Sequence, residues 1–378
     1  MEKPLDSWGA SLQSSQRAFS PSYWLRTSYP LDLDGTPSQE LTSAVLSQFT
    51  KREPVGALFG QWASKPLCEP RGSKANAQEA TGTGPIVTAQ RLDGKACAKE
   101  VELQLGHRIA ALNEKGVRPH LAVIIVGNDP ASHVYVKSKV KTCERLGIKS
   151  THIELDASTD EATLREHILS MNQQEDLHGI LVQSPLPNHM DEEALTDLIH
   201  PSKDVDGFHP ENLGRLVQGR LDGMLPCTPS GVMRMLNWAN IPLRGKRALV
   251  LGRSRIVGMP AALLLAARGA DATVTVAHSK TEATRELCRE ADIIVAAVGR
   301  ADMVRTDWVK PGAVVIDVGI NRVDDDSRER GWRLAGDVHP DVEEVASWLS
   351  PVPGGVGPMT IAMLMENTVR AAELTIQA

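Results

Sequence analysis

Residues 246–269, KRALVLGRSRIVGMPAALLLAARG, decide the fold of this chain. The apolar run at 248–251 predicts a buried strand, and a loop containing two glycines then leads into an apolar helical segment. A strand that enters a helix through such a turn aims free backbone N–H groups and the positive end of the helix dipole at an anion, as in dinucleotide-binding folds. The spacing of Gly252 and Gly258 is not GxGxxG. Phosphate binding and a purely geometric need for glycine therefore both remain open at this point.

Four other apolar runs are similar to 248–251 in length and composition. They are LAVIIV at 121–126, GILV at 179–182, IIVAAV at 293–298 and AVVI at 313–316. Strands that are apolar on both faces are typical of parallel sheets covered by helices on each side. Segments with helical spacing lie beside these runs, at 97–112, 130–146, 161–171, 260–268, 282–289 and 358–376. The predicted fold class is α/β, doubly wound, with a domain boundary near PCTP at 226–229.

Composition limits the classes of protein that this chain can represent. A length of 378 residues predicts two to three domains, and a net charge of −6 gives no basic field for binding a nucleic acid. The longest uncharged stretch, 345–365, is interrupted by three prolines and three glycines, so we expect no membrane span. Five cysteines without a CxxC pair predict reduced thiols and no bound metal.

The first 86 residues differ from the rest of the chain. Eight of the 14 aromatic residues lie before residue 63, and no hydrophobic period is sustained, so a weakly ordered, non-catalytic extension is expected. Residues 7–31 lack acids and contain Arg17 and Arg26, which faintly resembles an organellar presequence, whereas Glu2 and Asp6 argue against one. We predict a cytoplasmic location, with organellar targeting as the alternative.

The strand after the glycine loop distinguishes between two dinucleotides. An NAD site usually places Asp or Glu at the end of this strand, where the acid binds the ribose 2′-OH. Here ATVTVA at 272–277 ends in His278, Ser279 and Lys280, without an acid. Arg253, Ser279 and Lys280 could instead hold a 2′-phosphate through charge-assisted hydrogen bonds. NADP is therefore predicted, with solvated surface cations as the alternative for Arg253 and Lys280.

The helix after the first apolar run carries two candidate site residues. Asp129 and Pro130 predict its start, with Asp as N-cap and Pro at the first helical position. Tyr135 and Lys139 are four residues apart and therefore share a face of this helix. Tyr135 is the only tyrosine after residue 29. Stacking on a planar ligand and simple packing of a half-buried ring both fit this residue.

Two further polar residues follow predicted strands or turns. Gln183 ends the strand at 179–182, at the edge where open parallel sheets bind ligands. Asp206 lies in DVDG at 204–207, which lacks the glycine and glutamate positions of an EF-hand loop. Asp206 fits either a ligand-binding carboxylate or a turn cap.

Seven motifs resemble one family in their order and spacing. They are Tyr135-x-x-x-Lys139, VQSPL at 182–186, KDVDG at 203–207, PCTP at 226–229, GRSxxVGxP at 252–260, DVGIN at 317–321 and PVPGGVGPMT at 351–360. Over residues 87–378 the chain resembles the bifunctional methylenetetrahydrofolate dehydrogenase/methenyltetrahydrofolate cyclohydrolase family. The resemblance implies a folate-binding catalytic domain, 87–225 plus 350–378, and a Rossmann-type NADP domain, 226–349, around a cleft.

The same resemblance implies the roles of individual residues. Tyr135 would stack on the folate, Lys139 would be the catalytic lysine assisted by Gln183, and Asp206 would hydrogen-bond the pterin ring. Further substrate contacts are implied at Val182, Ser184, Pro353, Gly354, Gly355 and Thr360, in a pocket lined by 353–361, and NADP contacts at Gly252, Arg253, Ser254, Ser279 and Ile320. Ser184 is a departure, because many relatives carry an apolar residue there.

The activity implied by the resemblance has two steps. NADP-dependent oxidation converts 5,10-methylenetetrahydrofolate to 5,10-methenyltetrahydrofolate, and hydrolysis then gives 10-formyltetrahydrofolate. A homodimer is implied, as is a role in one-carbon metabolism that supports purine, methionine and histidine synthesis. The alternatives are a monofunctional dehydrogenase, another two-domain NADP oxidoreductase such as a shikimate-dehydrogenase-like protein, and a non-catalytic folate or nucleotide sensor. The presence of Lys139, Gln183 and Asp206 together favours the bifunctional interpretation.

Overall fold

A computed structural model describes residues 88–329 and 331–377 of the chain. The expectations for residues 1–86 lie outside this range. In chain order the elements are β1 (Gln90–Arg91), α1 (Gly94–Glu114), β2 (His120–Val126), α2 (Pro130–Leu146), β3 (Lys149–Leu155), α3 (Glu161–Asn172), β4 (Gly179–Val182), α4 (Glu192–Thr196), α5 (Pro210–Val217), α6 (Cys227–Trp238), β5 (Arg247–Leu251), α7 (Gly258–Ala266), β6 (Thr273–Ala277), α8 (Thr284–Glu290), β7 (Ile293–Ala296), β8 (Val314–Asp317), β9 (Asn321–Asp324), β10 (Trp332–Ala335), β11 (Trp348–Leu349) and α9 (Val356–Thr375). Two short 3₁₀ helices, Thr306–Trp308 and Pro340–Glu344, complete the set.

The first half is built on a three-stranded parallel sheet in the order β3-β2-β4. All seven residues of β2 and all four of β4 are buried, as expected for strands covered on both faces. The apolar sides of α3 and α4 pack against this sheet through residues that include Leu164, Ile168 and Leu195. The strand β3 was not predicted from the sequence, because its side chains are only partly buried and it forms the edge of the sheet.

The second half is built on a six-stranded sheet in the order β1-β11-β8-β7-β5-β6. Its strands are all parallel, and the five apolar runs predicted as buried strands in the two halves correspond to β2, β4, β5, β7 and β8. The strand order reverses beside β5, because β6 lies on one side of it and β7 on the other. The crevice at the carboxyl ends of these strands is where such sheets bind ligands.

The start of the described chain crosses the predicted domain division. Residues 87–225 were assigned to the first half, whereas Gln90 and Arg91 pair with Trp348 and Leu349 at the edge of the second sheet. The backbone N–H of Gln90 donates to the Ser347 carbonyl at 2.8 Å, so β1 satisfies an edge that would otherwise be open. A two-residue strand gives no periodicity, so the sequence could not have indicated this pairing.

The last helix, α9, returns to the first half, where it packs against α1, and it also packs against α6, which lies in the predicted 226–349 domain. Its apolar face is buried, and its acidic residues form ion pairs with neighbouring helices. Arg108 on α1 forms an ion pair with Glu373 at 2.7 Å, and Arg234 on α6 forms one with Glu366 at 3.2 Å.

The antiparallel pair β9 and β10 stands apart from both parallel sheets, with the Arg322 guanidinium 4.8 Å from the centre of the Trp332 ring.

Four of the five cysteines lie in the described part of the chain. Cys97, Cys143, Cys227 and Cys288 are buried and unpaired. Among the described residues, no helix combines the length and the apolar character that crossing a bilayer requires.

Candidate active site

The helix α2 places Tyr135 and Lys139 on one face at the carboxyl edge of the first sheet. The Asp129 side chain caps its first turn by accepting a hydrogen bond from the Ser132 N–H at 2.8 Å, and Pro130 is its first residue. Gly147, in the left-handed conformation, ends it. The predicted helix bounds agree with the structure.

Lys139 is the chemical centre of this half. Its side chain is nearly enclosed, with 8% of its surface exposed, and its Nζ donates a hydrogen bond to Gln183 Oε1 at 2.9 Å. Burial lowers the pKa of the Lys139 ammonium below its usual range, and interactions with nearby Asp206 and Cys227 oppose part of that shift. A buried lysine with a lowered pKa and a polar partner is a candidate proton acceptor.

Asp206 lies beside Lys139, and Asp204 rather than Asp206 closes the turn. Asp204 Oδ1 accepts hydrogen bonds from the N–H groups of Gly207 and Phe208, both at 3.2 Å. Its Oδ2 accepts from the His209 N–H at 2.8 Å. Burial raises the pKa of the Asp206 carboxyl to about 6, although Lys139 lowers it in part. The sequence left open whether Asp206 binds a ligand or caps the turn, and the structure shows that Asp204 caps it.

Other residues fix the backbone on both sides of Asp206. The Asn367 side chain on α9 donates from Nδ2 to the carbonyls of Val205 at 2.8 Å and Leu225 at 2.9 Å. Lys203 donates from Nζ to three carbonyls at the end of α3, at distances of 2.6 to 3.2 Å. The turn that carries the Asp206 carboxylate is therefore fixed by hydrogen bonds at Lys203 and at Val205.

The loop after β4 is anchored through Ser184. The Ser184 hydroxyl donates to Glu192 Oε1 at 2.6 Å, and the Leu186 N–H donates to Glu192 Oε2 at 3.1 Å. The Gln183 amide donates from Nε2 to the Ser184 carbonyl at 2.6 Å. The amide is thereby oriented with its oxygen toward Lys139. The Ser184 hydroxyl thus has a charged partner within the loop that carries Gln183.

A cavity of about 860 Å³ extends from Tyr135. Its walls include Tyr135 on α2, Ile320 after β8, and Pro353, Gly354 and Gly355 before α9. Burial raises the pKa of the Tyr135 hydroxyl, so the hydroxyl is neutral and the ring presents an apolar face. Thr360, in the second turn of α9, hydrogen-bonds the Thr228 hydroxyl at 3.0 Å instead of lining the cavity. A planar ligand could lie against Tyr135 in this space.

The predicted nucleotide loop lies at the carboxyl end of β5. Gly252 has a φ of +116°, and a Cβ there would overlap the Ala297 carbonyl oxygen at the end of β7, so this position requires glycine. Ser254 Oγ accepts hydrogen bonds from the N–H groups of Val257 at 3.2 Å and Gly258 at 3.3 Å. Ser279 follows the neighbouring strand β6, which pairs with β5. The predicted cofactor residues other than Ile320 are therefore brought to one crevice.

The two arginines of the loop at 252–260 differ in their surroundings. Arg253 is exposed and forms no ion pair with any described residue, so its charge is available to an anion. The second arginine of the loop, Arg255, is already engaged by side chains of α4. The loop after β7 is fixed by Asp337, whose carboxylate accepts from the N–H groups of Val298, Gly299 and Arg300 at 2.6 to 3.0 Å.

Several residues that shape the site were not found from the sequence. Asp337, Asn367, Glu192 and Arg255 act through contacts with segments that are distant in the chain, and no local motif marks them. Only Asp204 had a local signal, since it shares the DVDG motif with Asp206. Among the described residues, no group of three His, Cys, Asp or Glu side chains is arranged to hold a metal ion.

The fold and the site define a class, α/β enzymes that combine a dinucleotide-binding sheet with a second sheet that carries the catalytic side chains. Comparisons with known proteins identify the family within it. Residues 92–206 match the catalytic domain of tetrahydrofolate dehydrogenase/cyclohydrolase, and residues 226–376 match its NAD(P)-binding domain. The chain belongs to this family.

Individual relatives agree with this assignment. The chain is 53% identical over 285 residues to a bifunctional protein FolD of Prosthecochloris aestuarii, covering 74% of this chain and 97% of the relative. It is 50% identical to bifunctional protein FolD 4, chloroplastic, of Arabidopsis thaliana, covering 75% and 79%. It is therefore a bifunctional dehydrogenase and cyclohydrolase of folate one-carbon chemistry that uses NADP.

Solved structures of related enzymes share the architecture. The bifunctional FolD dehydrogenase/cyclohydrolase of Campylobacter jejuni is 46% identical, with a TM-score of 0.72 and coverage of 76% of this chain and 99% of that one. The FolD of Trypanosoma brucei, complexed with NADP cofactor and inhibitor, is 41% identical, with a TM-score of 0.73 and coverage of 77% and 99%. The predicted fold class, family and cofactor are confirmed.

Proposed function

We propose that one folate site, formed by Tyr135, Lys139, Gln183 and Asp206, serves both reactions. Tyr135 stacks on the folate in the 860 Å³ cavity, and Asp206 accepts hydrogen bonds from the pterin ring. Val182 and Ser184 flank Gln183, while Pro353, Gly354 and Gly355 bound the opposite side. Thr360 contributes through its contact with Thr228. Gly252, Arg253, Ser254, Ser279 and Ile320 hold NADP.

The oxidation step needs orientation more than proton transfer. NADP supplies the acceptor for the hydride that leaves the methylene carbon of 5,10-methylenetetrahydrofolate. The resulting methenyl cation is delocalised over two substrate nitrogens, so no protein base is required. The stacked Tyr135 and the Asp206 carboxylate fix the folate so that the methylene carbon faces the nucleotide half.

The hydrolysis step needs a base. Water adds to the methenyl carbon and loses one proton to Lys139 Nζ. The bond from that carbon to N5 then breaks as the remaining hydroxyl proton passes to N5, which gives 10-formyltetrahydrofolate, and the protonated Lys139 releases its proton to solvent. Gln183 Oε1 accepts one Nζ hydrogen at 2.9 Å, which directs the nitrogen lone pair toward the water. This contact, together with the lowered pKa of Lys139, is the observation that carries the proposal.

Two assays test this assignment. In the first, methenyltetrahydrofolate is mixed with the enzyme without NADP, and its absorbance should disappear faster than in an enzyme-free control. In the second, methylenetetrahydrofolate and NADP should yield reduced cofactor. A monofunctional dehydrogenase would fail only the first assay. A folate or nucleotide sensor would bind both ligands and fail both assays.

Further properties are proposed from the resemblance to the family. The chain acts as a homodimer in the cytoplasm, and its products support purine, methionine and histidine synthesis. Its catalytic domain comprises 87–225 plus 350–378 and its NADP domain 226–349, with β1 joined to the second sheet. Size-exclusion chromatography with light scattering measures the assembly, and expression of a full-length fluorescent fusion tests the location.

A further inference from the structure

Arg255 connects the nucleotide loop of the second half to a helix of the first half. Its Nε lies 3.2 Å from Glu193 Oε1, and its Nη1 lies 3.7 Å from Asp197 Oδ1. Its Nη2 donates a hydrogen bond to Thr196 Oγ1 at 3.3 Å. All three partners belong to α4 or directly follow it. The loop that begins at Gly252 is therefore attached to α4.

The same helix holds the loop that carries Gln183. Glu192 accepts a hydrogen bond from the Ser184 hydroxyl at 2.6 Å and one from the Leu186 N–H at 3.1 Å. Gln183 donates to the Ser184 carbonyl at 2.6 Å and accepts from Lys139 at 2.9 Å. A continuous series of contacts thus joins Arg255, through α4, to the Lys139 centre.

Arg255 differs from Arg253 in its surroundings. Arg253 is exposed, whereas the Arg255 side chain is 32% exposed and faces two carboxylates and a hydroxyl. To contact a bound nucleotide, Arg255 would have to give up these three partners. Its environment is therefore suited to fixing the loop, and that of Arg253 to binding an anion.

We propose that Arg255 is a positioning residue for hydride transfer, because it fixes the nucleotide loop against the half that binds folate. Hydride transfer requires the nucleotide and the folate in one relative placement, whereas hydrolysis uses side chains of the first half alone. The inference rests on the proposed roles of Lys139 and Gln183. Loss of Arg255 should therefore impair the dehydrogenase selectively.

The test uses Arg255→Ala in the full chain, with both activities measured. The dehydrogenase kcat/KM for NADP should fall about 3- to 10-fold, the scale expected for partly exposed ion pairs. The cyclohydrolase rate without NADP should stay within about twofold of wild type. Arg247→Ala is the matched control, because Arg247 forms an exposed ion pair with Glu290 at 3.1 Å at the amino end of β5, away from the nucleotide loop. It should change neither activity.

A second measurement separates positioning from nucleotide binding. The Kd of NADP is determined without and with tetrahydrofolate. The Kd without tetrahydrofolate divided by the Kd with it reports the coupling between the halves. In wild type the ratio should exceed 1, and in Arg255→Ala it should fall to about 1. The charge exchange Arg255→Glu with Glu193→Arg should restore part of the dehydrogenase activity that Arg255→Glu alone loses.

Four results would overturn the inference. These are equal losses of both activities in Arg255→Ala, no loss of either, the same rise in the NADP Kd with and without tetrahydrofolate, or a wild-type ratio of 1. The third result would mean that Arg255 binds the nucleotide directly. Failure of the proposed catalytic roles would be visible separately, as wild-type enzyme that does not hydrolyse methenyltetrahydrofolate.

Discussion

Asp204 and Asp206 stand two residues apart in one turn, and their carboxylates have different surroundings. Asp204 accepts hydrogen bonds from three backbone N–H groups and from the Asn212 amide at 2.9 Å. Asp206 lies beside Lys139, where burial raises its pKa to about 6. One acid thus maintains the backbone of the turn while the other is available to the ligand.

This difference predicts opposite phenotypes for the two aspartates. Asp204→Ala should lower the free energy of unfolding by at least about 2 kcal/mol, because several N–H groups lose a charged acceptor. Asp206→Asn should leave thermal stability equal or higher, since it removes a buried acid, yet it should weaken folate binding and slow both reactions. Thermal denaturation and folate titration check this. Normal folate affinity in Asp206→Asn would exclude Asp206 as a pterin ligand.

The same variant provides a control for pH dependence. Asp206 is ionised above its pKa of about 6 and neutral below it, so wild-type folate affinity should fall as the pH decreases through about 6. Asp206→Asn should show no such decrease. NADP binding without folate should remain intact in the variant.

Lys139→Met should separate the two activities. Methionine keeps a long side chain but removes the nitrogen that accepts the proton, so the cyclohydrolase rate should fall about 100-fold or more. Some dehydrogenase activity should remain, and methenyltetrahydrofolate should accumulate. Lys137→Met, an exposed position on the same helix, is the matched control and should leave both rates unchanged. Wild-type hydrolysis by a folded Lys139→Met protein would contradict the assigned role.

The lowered pKa of Lys139 also gives a direction for the pH profile. Since only the neutral amine accepts a proton, hydrolysis should increase with pH along a limb that lies below the usual lysine range. Comparison of cyclohydrolase rates across pH for wild type and Lys139→Met should show this limb in wild type alone.

Arg253→Ala should weaken NADP binding much more than NAD binding. A charge-assisted hydrogen bond is worth about 1.5–3 kcal/mol, which corresponds to a roughly 10- to 100-fold rise in the NADP Kd. Isothermal titration with each dinucleotide measures the difference. Arg244→Ala, an exposed arginine before β5, serves as the control. Equal losses for both dinucleotides would mean that Arg253 supports the loop and does not bind the 2′-phosphate.

Replacing each of two glycines on α1 by alanine should change the stability of the protein in opposite directions. A Cβ at Gly94 would overlap the Gly355 carbonyl oxygen, so Gly94→Ala should destabilise the protein by about 1–3 kcal/mol and raise the KM for folate. A Cβ at Gly106 has no neighbour within 4 Å, so Gly106→Ala should stabilise by about 0.5–1 kcal/mol through helix propensity. Urea denaturation of both variants measures the contrast. Equal destabilisation would refute the close packing at Gly94.

Removal of residues 1–84 should leave both activities near full strength. Every residue assigned to the site lies after this segment. Steady-state rates of the truncated and full-length proteins, each verified as folded by circular dichroism, decide the question. A folded truncation that lacks either activity would assign a functional role to the removed residues.

The sequence indicated the parts of this protein whose signals are local. The apolar strands and the glycine loop at 252–258 depend on neighbouring residues, and Tyr135 and Lys139 share a face because of helical spacing alone. Partners distant in the chain could not be found in this way. The Asn367 amide contacts carbonyls 142 and 162 residues earlier, and Arg255 contacts Thr196 on α4, 59 residues earlier. The strands β1 and β11 are two residues each, too short for any pattern.

The pairing of β1 with β11, together with the return of α9 to the first half, affects how such enzymes can recombine. Neither half is a contiguous stretch of sequence, because the chain begins its described course in the second sheet, leaves it at α1, and enters it again at β5. A single crossover between two relatives near residue 226 would combine β1 from one parent with β11 from the other. It would also place α9 of the second parent against α1 of the first. Chimaeras should therefore tolerate exchange of an internal cassette better than exchange of either end.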